Sequence, residues 1–185
     1  VVGPTATDVR RAAESAPGRR TTEPLTWPIT LPADTGDEFA VTLGTTWVEP
    51  GYLEPDAAWC VPGGEPVGPL TNGGAFGAKV SDPAASEVAM ASRRLADELQ
   101  RPVLAMYSRG DVVRRSAKRP PMVLGVRADG TGVAHVVRTP GVAAAIVAVA
   151  PGIEVVEHDL AGPPTSAGVR GAGWVEAAVA VAAAT

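Results

Sequence analysis

The sequence is poor in aromatic residues, in cysteine and in long apolar runs. Aromatic residues make up 4% of the 185 residues, so valine, alanine and leucine must form most of the core. Cys60 is the only cysteine, which excludes an internal disulfide and also an iron–sulfur cluster held by this chain alone. The longest apolar run, residues 142–150, is too short to cross a bilayer. These absences predict a cytoplasmic protein with no membrane partner.

An excess of basic residues is also lacking. The formal net charge is −4, which argues against nucleic acid as the main partner. With 45% hydrophobic and 19% charged residues the composition is that of an ordinary globular chain. The first residues, VVGPTATDVRR, contain no apolar segment of the kind found in a signal peptide.

The periodicity of apolar residues predicts both helices and strands. The strongest helix runs from Pro83 to Leu99, with Asp82 as its N-cap and Pro102 beyond its end. The turn sequence DGTG between two apolar segments predicts a β-hairpin. We therefore expect an α+β fold with mixed sheets flanked by helices. Further helices are predicted at 7–16 (N-cap Thr7), 140–150 (N-cap Thr139) and 174–184, and strands at 39–43, 45–49, 103–108, 122–128, 133–138 and 153–157.

The last predicted helix, WVEAAVAVAAA, has almost no polar side chain apart from Glu176. A helix that is apolar on all sides must be buried. This pattern predicts that the helix packs against a partner chain. Upstream, we expect residues 1–37 to form an N-terminal helix and an extended connection, and residues 38–185 to form the main domain.

Two glycine-rich segments are candidates for ligand-binding loops. The first is TNGGAFGAK, residues 71–79, and the second is GVRGAG, residues 168–173. Glycines let backbone N–H groups approach a ligand closely, and Arg170 precedes a helix N-terminus that favours an anion. Neither segment has the spacing of a dinucleotide fingerprint or a P-loop, so a structural loop remains the alternative for both.

Seven segments of the sequence form an ordered series. They are EPGYLEPDAAW (49–59), NGGAFGAK (72–79), RPV (101–103), SRGDV (108–112), KRPP (118–121), ADG (128–130) and PPTSAGVRGAG (163–173). In this order they resemble motifs of the molybdenum hydroxylases, the family of xanthine dehydrogenase, aldehyde oxidase and carbon monoxide dehydrogenase. The resemblance extends over roughly residues 40–177.

The resemblance implies a fold like the first molybdopterin-binding domain of that family. It also implies a molybdenum–pterin cofactor, in some members as a cytosine dinucleotide, and hydroxylation of a heteroaromatic or aldehyde carbon. In the family a Gly-Phe-Gly loop lies against the metal site, and an RGxG turn contributes backbone contacts and an arginine that orients the small-molecule substrate. Carried over, Phe76 and Arg170 become catalytic candidates, no residue becomes a metal ligand, and the cofactor-binding candidates are Gly73, Gly74, Ala75, Phe76, Gly77, Arg170, Gly171 and Ala172.

The chain also departs from the family pattern. Residues 60–72 replace a longer segment and contain no glutamine, and Val80 stands where xanthine oxidisers carry a glutamate. The family's general-base glutamate lies in a C-terminal half that these residues do not include. The resemblance therefore implies a second chain that supplies this half, and a chain that is inactive alone.

The alternative is a repurposed fold that has lost the cofactor. Such a protein would be a cyclase, isomerase or hydrolase subunit, or a structural partner. In that case Glu54 and Glu176 are the acids expected to act in the old cavity.

The surroundings of the other polar residues predict structural or solvent-exposed roles for them. His135 lies among valines and is expected in the core or on a sheet face. His158, in the segment EHD (157–159), is expected at a solvated strand end, with a metal ligand pair as the alternative. The basic run from Arg109 to Arg119 is expected to form a solvated loop, with contact to a cofactor phosphate or an acidic partner surface as the alternative. Cys60 is expected to be a small buried apolar residue.

Overall fold

A computed structural model describes residues 2–15, 29–31, 39–68, 70, 73–80 and 83–185. Short 3₁₀ turns lie at Ala78–Val80 and Val169–Gly171. In chain order the helices and strands are α1 (Ala6–Ser15), β1 (Val41–Thr45), β2 (Ala57–Cys60), α2 (Pro83–Leu99), β3 (Val103–Met106), α3 (Arg109–Arg115), β4 (Met122–Val126), β5 (Gly132–Val137), α4 (Val142–Val149), β6 (Ile153–His158) and α5 (Trp174–Ala184).

The chain divides into two compact units that are interleaved along the sequence. Unit 1 consists of Val1–Leu25, Gly51–Ala75 and Ser81–Ser116. Unit 2 consists of Thr26–Pro50, Phe76–Val80 and Ala117–Thr185. The predicted boundary between residues 37 and 38 falls outside the described residues and stays a prediction.

Unit 2 is built on a mixed sheet with the strand order β1-β4-β5-β6. β4 pairs antiparallel with β1 and β5, and β5 pairs parallel with β6. The predicted hairpin is confirmed, and its turn is held by the Asp129 carboxylate, which accepts the Thr131 N–H at 2.9 Å. Two parallel neighbouring strands need a crossover connection, and the segment between β5 and β6 that forms it contains α4.

The main core of unit 2 lies between this sheet and the helices α4 and α5. It contains large aliphatic side chains from the sheet, such as Met122, Leu124 and Val136, with Ile146 from α4. α5 has the bounds that the sequence predicted, but it buries only one side, at Ala177 and Ala180, and leaves the other exposed. The small alanines let α5 approach the sheet closely, whereas burial of its outer side by a partner chain stays a prediction.

Unit 1 pairs α2 with the two-stranded antiparallel sheet β2-β3. α2 begins and ends where the sequence predicted. β2 was not predicted, because AAWC is too short to show an alternating pattern within a turn-rich segment. α3 was not predicted either, since the run from Arg109 was expected to be a loop. It is a helix capped by Ser108, whose hydroxyl accepts the Asp111 N–H at 3.2 Å.

Two predicted helix caps are wrong. Thr5, not Thr7, caps α1, because its hydroxyl accepts the Asp8 N–H at 3.2 Å. α4 begins after Gly141 in a left-handed conformation, while the Thr139 hydroxyl donates to the Val137 carbonyl at 3.0 Å. The third predicted cap, Asp82, lies outside the described residues.

The predicted fold class is confirmed, since both sheets are flanked by helices and the larger sheet is mixed. Cys60 is buried as expected. Of the helices described, none combines the length and the apolar character needed to cross a membrane.

Candidate functional site

The first part of the glycine-rich loop, Gly73 to Ala75, belongs to unit 1 and folds against residues 51–54. The Gly73 N–H donates to the Glu54 carboxylate at 2.8 Å, and the Gly73 carbonyl accepts the Leu53 N–H at 2.9 Å. A Cβ added at Gly74 would lie 2.4 Å from the Gly51 carbonyl oxygen. Ala75 is buried. In the structure these small residues therefore serve close packing, and Glu54 is a hydrogen-bond acceptor for the loop.

The second part of the loop belongs to unit 2 and contacts the C-terminal turn. The Arg170 N–H donates to the Phe76 carbonyl at 2.9 Å, and the Arg170 guanidinium lies 4.2 Å from the centre of the Phe76 ring. Its Nη2 also donates to the Pro50 carbonyl at 2.6 Å. The structure thus brings together Phe76 and Arg170, two of the four catalytic candidates from the sequence, whereas Glu54 contacts the first part of the loop and Glu176 lies in α5.

Phe76 and Arg170 both have left-handed backbones, with φ of 47° and 51°. A non-glycine residue in such a conformation costs about 1–3 kcal/mol, and residues of this kind cluster at ligand sites and switches. Both side chains nevertheless remain at the surface, and 56% of Phe76 is exposed. Strain combined with an exposed aromatic ring and a cation defines the candidate site, which we call the Phe76–Arg170 pair.

Gly77 joins the loop to the turn by direct backbone packing. A Cβ added there would lie 2.1 Å from the Gly168 carbonyl oxygen, and φ is +91°. In the same turn, a Cβ at Gly171 would lie 2.5 Å from the Trp174 indole nitrogen, and Ala172 is buried. Each of these small residues is required by the chain's own packing. Their predicted contact with a cofactor stays a prediction.

The residues of the Phe76–Arg170 pair fit one part of a molybdenum–pterin group and its substrate. An exposed ring can stack on a flat heterocycle, and a guanidinium with five N–H donors can bind an oxygen or an anion. The glycines, by contrast, leave no cradle that an added Cβ would fill, because protein atoms already occupy those positions. The fit thus rests on two side chains and not on bare loop amides.

Glu176, the other acidic candidate, is buried in unit 2 and ion-paired. Its Oε1 lies 2.6 Å from Nη2 of Arg119, and its Oε2 accepts the Gly173 N–H at 3.0 Å. The second contact closes the first turn of α5, where a carboxylate is favoured by the helix dipole. One carboxylate oxygen therefore accepts a hydrogen bond, and the other is close to a cation without a hydrogen bond of good geometry.

The prediction of a solvated loop is wrong for Lys118 and Arg119. Both are largely buried, and Nζ of Lys118 lies 2.7 Å from Oε2 of Glu49. Backbone hydrogen bonds between Val48 and Arg119 hold these residues in unit 2. Sequence reasoning missed the pairing because the carboxylates are remote along the chain.

A network in unit 1 was also missed. The Tyr107 hydroxyl donates to the Glu87 carboxylate in a short hydrogen bond, and Nη2 of Arg115 donates to the same oxygen at 2.5 Å. Burial and the Glu87 carboxylate raise the pKa of Tyr107 to about 12. The hydrogen bond from Tyr107, followed by that from Arg115, lowers the pKa of Glu87. The network links α2, α3 and the end of β3.

Stability in alkali is expected to depend on Tyr107. Its folded-state pKa of about 12 exceeds the unfolded-state value of about 10, so its contribution is complete below pH 10 and is lost as the pH rises through 12. The free energy of unfolding of the wild type, measured with urea, should therefore fall between pH 10 and pH 12, and that of Tyr107→Phe should fall less. Equal pH profiles for the two proteins would contradict this assignment.

The two histidines contact each other on neighbouring strands of unit 2. Nδ1 of His135 lies 2.9 Å from Nε2 of His158, and the rings are stacked. Burial, and then the charge of His158, lower the pKa of His135. His135 lies on the sheet face as expected, whereas His158 is half-buried by this contact. No group of three or more His, Cys, Asp or Glu side chains that could hold a metal occurs among the described residues.

Fourteen chains of solved structures are similar to this chain. The chain is similar to the aldehyde oxidoreductase from Desulfovibrio gigas (MOP), activated with sodium dithionite and sodium sulfide, with a TM-score of 0.34 and 19% identity. The similarity covers 66% of this chain and 19% of that chain. A scan against protein-family models and a search of curated proteins gave no match. The similar structure is thus that of an oxidoreductase, and this chain spans a small part of it.

Proposed function

We propose that this chain is a subunit of an oxidoreductase like xanthine dehydrogenase or aldehyde oxidase. It would contribute half of a molybdopterin-binding site for hydroxylation of a heteroaromatic or aldehyde carbon. The observation that carries the proposal is the contact between Phe76 and Arg170. The family resemblance implies that the Gly-Phe-Gly loop and the RGxG turn both serve the cofactor site, and in unit 2 the corresponding residues are hydrogen-bonded across a long stretch of sequence.

The two side chains divide the work of substrate positioning. The Phe76 ring is more than half exposed and offers an apolar surface on which a flat substrate stacks. Arg170 is held by the Pro50 carbonyl at 2.6 Å, which fixes its position while other N–H donors remain for a substrate oxygen. When bound, the molybdenum–pterin group supplies oxidation of the substrate carbon with water as the oxygen source.

Proton transfer is the part of the reaction that this chain does not supply under the proposal. Glu176 is paired with Arg119, and Glu54 accepts the Gly73 N–H. A general base must lie within hydrogen-bond reach of the proton that it removes. We therefore assign the base to a second chain that carries the missing half of the family's large subunit.

The second candidate function is a cofactor-free enzyme or structural subunit on the same fold. It is favoured by the packing at Gly74 and Gly77, where the chain's own backbone occupies the space next to each glycine. Under this alternative Glu54 and Glu176 are the acids to test, and a cyclase, isomerase or hydrolase reaction would proceed without molybdenum.

Molybdenum content separates the two functions. The tagged full-length chain is purified from its source cells together with its partners, and molybdenum is measured by mass spectrometry and pterin by fluorescence after oxidation. We expect both to co-purify in equal amounts. Phe76→Ala and Arg170→Ala should lower both several-fold, because they remove the exposed contacts of the site.

The matched control is Arg127→Ala, since Arg127 lies over the Phe39 ring at 5.4 Å in unit 2 but outside both loops. This variant should keep its molybdenum and pterin. An active, intact assembly without either component would contradict the proposal. Loss of that activity in Glu54→Gln or Glu176→Gln would then support the cofactor-free enzyme, and unchanged activity with altered assembly in Phe76→Ala would support a structural subunit.

A further inference from the structure

The outer edge of β3 in unit 1 has backbone groups that no described residue pairs with. The Tyr107 N–H donates to the Asp56 carbonyl at 2.9 Å, so these opposite residues form a hydrogen-bonded pair of the β2-β3 ladder. In an antiparallel ladder the bonded positions alternate, so Leu104 and Met106 direct their N–H and C=O groups away from β2. Within the described part of the chain, no backbone hydrogen bond covers these groups.

β2 differs from β3 in this respect, because its outer edge is covered. Trp59 exchanges two backbone hydrogen bonds with Val67, of 2.9 and 2.8 Å, and the Ala57 carbonyl accepts the Leu70 N–H at 3.1 Å. The open edge is therefore confined to one side of the small sheet. An open strand edge is a template for a further strand.

A row of apolar side chains crosses this sheet towards the open edge. Val67 lies opposite Trp59, and Trp59 lies opposite Leu104, so the three side chains share one face. They are 53%, 41% and 44% exposed. One further strand beside β3 would add a fourth member to the row and would cover the Leu104 side chain.

The space beside β3 is a groove of about 400 Å³ with cations in its lining. Residues 2–5 form another part of the lining, and α2 contributes Leu95 and Leu99. Arg94 is paired with Glu98 at 3.0 Å, whereas the Arg101 side chain forms no ion pair with the described residues. The groove thus combines strand-forming backbone groups, apolar walls and a cation, Arg101, that has no counter-ion among the residues described.

We infer that the outer edge of β3 binds an extended strand of a partner protein. The strand carries an apolar side chain opposite Leu104 and an acidic side chain that reaches Arg101. Backbone hydrogen bonds supply the affinity and the alternate side chains supply the specificity, as in other cases of strand addition. The inference does not depend on the proposed function, because it concerns unit 1 alone and involves no residue of the Phe76–Arg170 pair.

A fluorescently labelled peptide tests the inference with the full-length chain. The probe alternates valine and threonine and ends in two glutamates, and fluorescence anisotropy measures its dissociation constant. We expect binding to the wild type that weakens as salt is added. Leu104→Pro should weaken it about tenfold, since proline removes an N–H that faces the partner and adds a clash. The bonds between β2 and β3 stay in place.

Three further variants complete the design. Arg101→Glu should weaken binding several-fold, whereas Arg11→Glu, with the same change of charge on α1 and outside the groove lining, should not. Should Leu104→Pro fail to fold by circular dichroism, Leu104→Thr replaces it, with Met90→Thr as the control for an exposed apolar residue on α2.

Two outcomes would overturn the inference. One is a wild type that does not bind the probe, or folded Leu104 variants that bind it as tightly as the wild type. The other is a dimer of this chain, seen by sedimentation, that excludes the peptide, since the edge would then bind a second copy instead of a partner strand.

Discussion

Replacing Arg119 by alanine is expected to lower the free energy of unfolding by about 3–5 kcal/mol, because it leaves a buried carboxylate without its counter-ion. The side chains of Arg119 and Glu176 are 12% and 3% exposed, and their ion pair has a distance of 2.6 Å. The remaining partner of Glu176 is the Gly173 N–H. Urea unfolding with global fitting of the slope gives the free energy.

Two matched variants distinguish the stability lost by leaving a buried charge unpaired from the stability lost by removing an exposed charge. Arg138→Ala breaks exposed ion pairs with Glu157 and Asp159 and should cost at most about 1 kcal/mol. The double variant Arg119→Met with Glu176→Gln keeps an acceptor for Gly173 and removes both charges, so it should recover much of the loss. A loss in Arg119→Ala as small as that in Arg138→Ala would show that the buried pair is not needed for stability.

Gly77→Ala is expected to cost at least about 3 kcal/mol, since the left-handed backbone alone accounts for about 1–3 kcal/mol. The added Cβ would also lie 2.1 Å from the Gly168 carbonyl oxygen, so the loop and the turn must move apart. The hydrogen bond from the Arg170 N–H to the Phe76 carbonyl should weaken with them. Urea unfolding measures the cost, and hydrogen exchange at the Arg170 amide measures the separation.

Gly63→Ala is the control for the backbone conformation alone. Gly63 has φ of +69°, and a Cβ added there would have nothing within 4 Å. Its cost should therefore be about 1 kcal/mol, from strain without a clash. Equal losses in the two variants, with unchanged exchange at Arg170, would mean that the close packing of Gly77 on Gly168 contributes no stability.

The elements that the sequence predicted well are those whose local signals agree with their burial. α2 has a proline at its first position and an apolar stripe, and the β4–β5 hairpin has a turn sequence that favours sharp reversal. α5 was predicted with correct bounds because it lies between a glycine and the last residues of the sequence. In each case propensity and packing favour the same structure.

The elements that the sequence missed depend on distant partners. β2 becomes a strand because β3 and Val67 pair with its two edges, and nothing within AAWC predicts either contact. Lys118 and Arg119 are buried because Glu49 and Glu176 neutralise them across long stretches of chain. Local charge indicated a solvated run, and long-range ion pairing decided otherwise.

The resemblance to molybdenum hydroxylases singled out Phe76 and Arg170, and these two residues are in contact in unit 2. Their roles toward a cofactor or a substrate stay predictions. The sequence could not predict that the Pro50 carbonyl fixes the guanidinium, or that Glu54 and Glu176 have structural partners. Those contacts depend on where the backbone runs in three dimensions.

The interleaving of the two units sets the order in which they can be completed during translation. Every residue of unit 1 has been synthesised once Ser116 has been added, whereas the sheet of unit 2 needs β4 beside β1. At about 5–20 residues per second the ribosome takes roughly 4–15 s to pass from Thr45 to Met122. During that interval β1 has no partner strand. Unit 1 can fold meanwhile from the segments before and after Phe76–Val80, and Phe76–Val80 itself becomes part of unit 2 later.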